Sequence, residues 1–121
     1  MENTINSYKD LIVWQKSMEL VVEIYKLTDL FPKTELYGII SQMRRCSISM
    51  PSNIAEGRRR GSRKDYRQFL IIAYGSGAEL ETQIEISKRL NYCSHKECEK
   101  IDQLILEVMR ILNKIISSLK S

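Results

Sequence analysis

The chain has 121 residues, a formal net charge of +4, and 43% apolar against 28% charged residues, a composition that buries a core without metals or disulfides. No apolar run approaches the roughly 20 residues of a membrane span, and the opening MENTINSYKD lacks the basic-then-apolar layout of a signal peptide. One cytoplasmic domain with no membrane partner is expected, with disorder confined to the first few and last few residues.

The first predicted helix covers residues 10–30. One apolar row runs Leu11, Trp14, Met18, Val21, Tyr25, and a second, adjacent on the wheel, runs Val13, Leu20, Ile24, Leu27. An arc this broad exceeds one core seam. It fits either a helix sunk in its own bundle or one that also meets another subunit.

Phe31-Pro32 closes that helix, because the residue before proline is pushed out of the α region. Thr34 is then placed to cap a second helix over 34–57, with the stripe Leu36, Ile39, Ile40, Met43, Cys46, Met50, Ile54. Pro51 inside this pattern removes a donor and crowds the Ser47 carbonyl, so a kink or break is expected. Ser47, Ser49, Ser52 and Asn53 are suited to serve the freed groups. Gly57 reads as the C-terminal cap and Arg58-Arg59-Arg60-Gly61 as the turn.

Ser62, with Asp65 three residues on, opens a third helix over 63–90. Its seam is Tyr66, Phe69, Ala73, Leu80, Ile84, Ser87, joined by Leu70 and Ile72. Gly75 and Gly77 each cost about 1 kcal/mol in a helix interior. Close approach of helix one or two is the expected compensation. Asn91 ends the helix in the left-handed conformation, and Ser94-His95-Lys96-Glu97 is a capping box opening a fourth helix over 95–119. That helix carries the stripe Cys98, Ile101, Ile105, Val108, Leu112, Ile115, Leu119. Short loops make neighbours antiparallel. The fold class is an all-α, antiparallel up-down four-helix bundle.

Charge is not spread evenly. The stretch RRCSISMPSNIAEGRRRGSRKDYR holds Arg44, Arg45, Arg58, Arg59, Arg60, Arg63, Lys64 and Arg67 against only Glu56 and Asp65, a local balance of +6 in a chain of +4. Arginine suits bidentate phosphate contacts, so these eight residues are the candidate nucleic-acid-binding set, with Tyr66 and Tyr74 as core residues able to add stacking. Pro51, Asn53, Glu56, Gly57, Gly75 and Gly77 form the candidate structural motif. Asn53 is expected to repair the Pro51 break. Glu56 is expected to pair with Arg44, Arg45 or a neighbouring subunit, and Glu79 and Glu81 could also partner those arginines.

No catalytic set is present, since Glu56 stands without a His, Cys or second carboxylate at fitting spacing. Gly75-Ser76-Gly77 lacks the context of a phosphate loop. Cys93, His95 and Cys98 offer three ligands at poor spacing, which points to free thiols rather than zinc. Neither cofactor nor metal is expected.

Several segments resemble the four helix bundle protein family, also called the 23S rRNA intervening-sequence proteins. They are Leu11-x-Val13-Trp14-Gln15-Lys16, Phe31-Pro32-x-x-Glu35, Gln42-x-Arg44-Arg45, Ser49-x-Pro51-x-Asn53-Ile54-Ala55-Glu56-Gly57, Phe69-Leu70 and Gly75-Ser76-x-Ala78-Glu79-Leu80-Glu81. Gly77 departs from the pattern, where a larger apolar residue is usual. The resemblance implies an antiparallel bundle assembled into a closed homopentameric ring, and does not imply an enzyme. Accessory proteins of diversity-generating retroelements look similar in fold and ring form, and those associate with nucleic acid and a reverse transcriptase. The function expected is a non-enzymatic oligomer engaging nucleic acid, RNA before DNA. The alternative is a protein-interaction or scaffold module, such as an accessory subunit to a nucleic-acid enzyme.

Overall fold

The three-four spacing of apolar side chains produces four α-helices in the computed structural model, which describes residues 7–120. They are α1 (Ile12–Thr28), α2 (Ile39–Arg60), α3 (Arg63–Arg89) and α4 (Glu99–Ser118), with 3-10 turns at Tyr8–Asp10 and Lys33–Glu35 and no strand among the described residues. The expected disorder at the extreme termini falls outside the described residues. Helix α1 packs on α2 and α4, and α3 packs on the same two helices. This is a four-helix bundle around one core, in which Leu20, Ile24, Met43, Met50, Ile54, Leu70, Leu80, Val108 and Leu112 are fully buried. Burying each such side chain contributes roughly 1.5–3 kcal/mol.

The broad arc of α1 resolves into two environments. Val13, Leu20, Ile24 and Leu27 enter the core. Ser17 and Thr28 join them, their hydroxyls donating back to the carbonyls of Val13 at 2.7 Å and Ile24 at 2.8 Å. The row of Leu11, Trp14, Met18, Val21 and Tyr25 stays nearer the surface, with Met18 and Tyr25 exposed and Trp14 and Val21 half-buried.

The start of α2 corrects the sequence reading. Thr34 caps nothing and lies in the 3-10 turn, while α2 begins at Ile39 after Gly38. Glu35 takes the capping part instead, its Oε1 facing the Ile39 amide at 3.4 Å while its Oε2 accepts from the Tyr92 hydroxyl at 2.7 Å. Leu36 is consequently outside the helix and exposed. Pro51 does not break α2, which runs unbroken through it. Asn53 Nδ2 donates to the Ser49 carbonyl at 2.8 Å rather than to the Ser47 carbonyl that Pro51 frees, and Ser49 also bonds Ser76 of α3 at 2.8 Å.

Three glycines behave differently from expectation. Gly57 does not end α2; it is buried, and a β-carbon there would sit 2.7 Å from Phe69 Cβ. The cap is Gly61, at φ +86° with open space around it. At Gly75 an added β-carbon would meet nothing within 4 Å, so no helix approaches it closely. Gly77 is a true close contact, against Met109 of α4 and Met50 of α2.

The other expected caps are in place. Ser62 Oγ accepts from the Asp65 amide at 3.1 Å, and Asn91 adopts φ +62°. Ser94 and Glu97 exchange both capping-box bonds, at 2.9 and 3.1 Å, although α4 itself starts later, at Glu99. In α3, Ile72 and Tyr74 point outward rather than joining the core.

Candidate nucleic-acid interface

Only Gly61 and Ser62 separate α2 from α3. The left-handed Gly61 turns the chain and Ser62 restarts it, so one corner collects Arg58, Arg59, Arg60, Arg63 and Lys64, all exposed. Because α2 continues to Arg60, its three arginines occupy a helix C-terminal turn, where the macrodipole favours cations. Arg63 and Lys64 in the first turn of α3 are opposed by the dipole of their own helix.

The corner is braced by its own aromatic and acidic neighbours. Arg58 stands 5.8 Å from the Tyr66 ring centroid, Arg59 5.6 Å from Tyr8, and Arg60 5.0 Å from Phe69. Arg60 also pairs with Glu56 at 3.0 Å. Glu56 therefore belongs to Arg60, not to Arg44 or Arg45. Burial of Tyr66 pushes its hydroxyl above the usual tyrosine range. Arg58, Gly61, Ser62, Arg63, Tyr66 and Leu119 line a concavity of about 430 Å³ at the corner.

Arg63 and Arg67 are bound into the fold. Arg63 donates to the Ser118 carbonyl at 3.0 Å and Arg67 Nε to the Ile116 carbonyl at 3.1 Å. Both bonds fall on carbonyls of the last turn of α4, where the Ile116 oxygen also accepts from the Leu119 amide at 3.3 Å. No side-chain pattern in the sequence marks such backbone acceptors, which lie 49 to 55 positions away.

Arg44 and Arg45 lie elsewhere. Arg60 lies fifteen positions beyond Arg45 on the same helix, roughly 22 Å along the axis. Arg44 clasps the end of α1: its Nε donates to Thr28 Oγ1 at 2.9 Å, its Nη2 meets Asp29 at 2.9 Å, and its guanidinium lies 4.4 Å from the Tyr25 ring centroid. Arg45 is exposed beside a polar cleft between α2 and α3, about 420 Å³ in volume, lined with it by Gln42, Cys46, Ser49, Ser76, Glu79 and Gln83. Gln83 Nε2 faces the Cys46 sulfur at 3.5 Å, and its buried Oε1 has no partner among the described residues. Glu79 thus shares a cleft with Arg45, whereas Glu81 is exposed on α3.

Among the described residues no three His, Cys, Asp or Glu side chains group as a metal site. No described helix is long and apolar enough to cross a membrane.

Residues 9–114 match the family described as 23S rRNA-intervening sequence protein. The chain belongs to that family. A solved structure is similar over most of the chain: a protein of unknown function from the S23 ribosomal protein family of Bacteroides thetaiotaomicron, 29% identical, with a TM-score of 0.76 over 87% of this chain and 98% of that one. No curated protein matches. Neither the family's description nor that of the relative names an enzyme.

Proposed function

We propose that this family member is a non-enzymatic, oligomeric nucleic-acid-binding protein that engages RNA in preference to DNA through the α2–α3 corner. The observation that carries the reading is the gathering of exposed Arg58, Arg59, Arg60, Arg63 and Lys64 about a two-residue connection. Such a surface meets phosphates through charge and bidentate geometry, and its binding is salt-dependent and weakly sequence-specific. The separate Arg45 extends it, and Arg44 and Arg67 add charge while holding α1 and α4. The family's description, which ties its members to 23S rRNA sequence, favours RNA.

The bundle runs antiparallel, up-down, in this reading. Arg63 near the start of α3 reaches Ser118 at the end of α4, and Lys88 near the end of α3 pairs with Asp102 near the start of α4, which supports that order. Five copies form a closed ring that repeats the corner around an axis. Exposed Met18, Val22, Tyr25, Tyr37 and Ile48 on α1, α2 and the segment between them support self-association. The same face supports the second reading, an accessory or scaffold subunit docking a protein partner.

The test is electrophoretic mobility of generic single-stranded RNA and DNA at low salt, with wild type and Arg58/Arg59/Lys64→Ala. A wild-type shift that the triple variant loses is expected. Absence of a wild-type shift, or an unchanged shift in the variant, rejects nucleic acid. Light scattering should return five times the 14.2 kDa chain mass; a monomeric mass rejects the ring.

A further inference from the structure

The connection between α3 and α4 holds two thiols that nucleic-acid binding does not use. Cys93 follows the left-handed Asn91, and Cys98 immediately precedes α4, so the pair flanks the Ser94–Glu97 capping box. Both are buried, and their sulfurs lie 3.2 Å apart. A disulfide requires about 2.05 Å, so roughly 1 Å of approach separates the reduced pair from a bond. Cys46, the third cysteine, stands apart on α2 beside Gln83.

We propose that Cys93 and Cys98 form an oxidative modification site, a dithiol that a hydroperoxide converts to an intramolecular disulfide closing the α3–α4 turn. Cys93, the less deeply buried of the two, attacks one oxygen of hydrogen peroxide as the thiolate. The O–O bond breaks, a sulfenic acid forms, and the departing hydroxide takes up the thiol proton as water. The Cys98 sulfur then displaces the hydroxyl from the sulfenic sulfur, the S–S bond forms, and a second water leaves with the Cys98 proton. Two electrons from the two sulfurs reduce one peroxide to two waters.

The surroundings set the rate. Burial pushes both thiols up, Cys98 to about 12, which makes the thiolate scarce. Lys88, held by Asp102 at 2.8 Å, works in the opposite direction on both sulfurs. The closed turn therefore reacts slowly, and the rate follows its opening.

The experiment treats the full chain with hydrogen peroxide, then denatures it, alkylates with iodoacetamide and measures the intact mass. Untreated protein should carry three adducts, one per cysteine. Oxidised protein should carry one, on Cys46, with a loss of about 2 Da from the bonded pair. Dithiothreitol should restore all three, and Cys46→Ser should oxidise identically with no adduct remaining. Peptide mapping should find Cys93 joined to Cys98. The proposal fails if Cys93 and Cys98 stay alkylatable while Cys46 is consumed. It fails equally if they gain oxygen instead of linking, or if Cys46 is joined to either.

Discussion

Gly57 of α2 faces Phe69 of α3 so closely that an added β-carbon would stand 2.7 Å from Phe69 Cβ. The obstructing atom is rooted on the α3 backbone, so a side chain at 57 cannot be accommodated by a rotamer change. The bare backbone brings the two helices together beneath the basic corner. The glycine of the Asn-Ile-Ala-Glu-Gly segment is thus a packing device, and the helix stop belongs to Gly61.

Gly57→Ala should lower stability by about 1–3 kcal/mol through overpacking. Gly75→Ala should raise it by about 0.5–1 kcal/mol, since the position is helical and nothing lies within 4 Å. Thermal unfolding followed by circular dichroism compares them directly. Equal melting temperatures for the two variants would contradict the assignment of close contact to one and open space to the other.

These glycines show where sequence reasoning stops. Helix number, the seams of α3 (Ile72 apart) and α4 and the Ser62, Asn91 and Ser94–Glu97 signals are local patterns, and the structure realises them. Whether a glycine caps, packs or does neither depends on what the neighbouring helix places against it. Gly57, Gly61 and Gly75 therefore could not be sorted from spacing alone. Within the candidate site, the charge cluster was legible as composition. The diversion of Arg44 to Thr28 and Asp29, and of Arg63 and Arg67 to α4 carbonyls, depends on contacts 15 to 55 positions away.

Arg44 and Arg45 are neighbours in sequence with different duties. Arg44→Lys loses the fork to Thr28 and Asp29 and the planar contact with Tyr25, and should cost about 1 kcal/mol, since Asp29 is largely solvent-exposed. Arg45→Lys should remain within about 0.5 kcal/mol of wild type. Urea denaturation curves of both variants provide the measurement.

Alkaline pH should destabilise the fold. Burial raises Cys46, Cys93 and Cys98 above 9.0, the Glu35 bond raises Tyr92 above 10.0, and the Asp102 bond raises Lys88 above 10.5. Above pH 9 the unfolded chain releases protons that the native chain retains, so stability falls as pH rises. Well below pH 9 these groups are protonated in both states and contribute no slope. Melting temperatures should be flat with respect to them well below pH 9, start to fall as pH approaches 9 and decline further toward 12. Cys98→Ala should make that decline shallower.

Gln83 is 8% exposed, and its Oε1 lacks a partner among the described residues while its Nε2 has only a sulfur at 3.5 Å. Little hydrogen bonding offsets the desolvation of this amide. Gln83→Met, of similar length, should raise stability by about 1 kcal/mol and the melting temperature by a few degrees. Gln83→Glu should lower both, because it places a carboxyl group in the same setting.

The cations of the corner divide into those that hold the bundle and those offered to a ligand, and the two sets should separate by experiment. Arg67 is half-buried, with Nε on the Ile116 carbonyl, and Arg63 meets the Ser118 carbonyl in the same last turn of α4. A cation there adds a bond to the last-turn carbonyls and complements the negative end of the helix dipole. Arg67→Ala should therefore cost about 1 kcal/mol of stability and leave the dependence of RNA binding on salt nearly unchanged. Arg58/Arg59/Lys64→Ala removes three exposed charges, together with the contacts of Arg58 with Tyr66 and of Arg59 with Tyr8. It should flatten the slope of log K against log salt by about 2, at roughly 0.7 per phosphate contact on a single strand. If Arg67→Ala flattens the slope while the triple variant does not, the ligand lies over the end of α4 rather than over the α2–α3 turn.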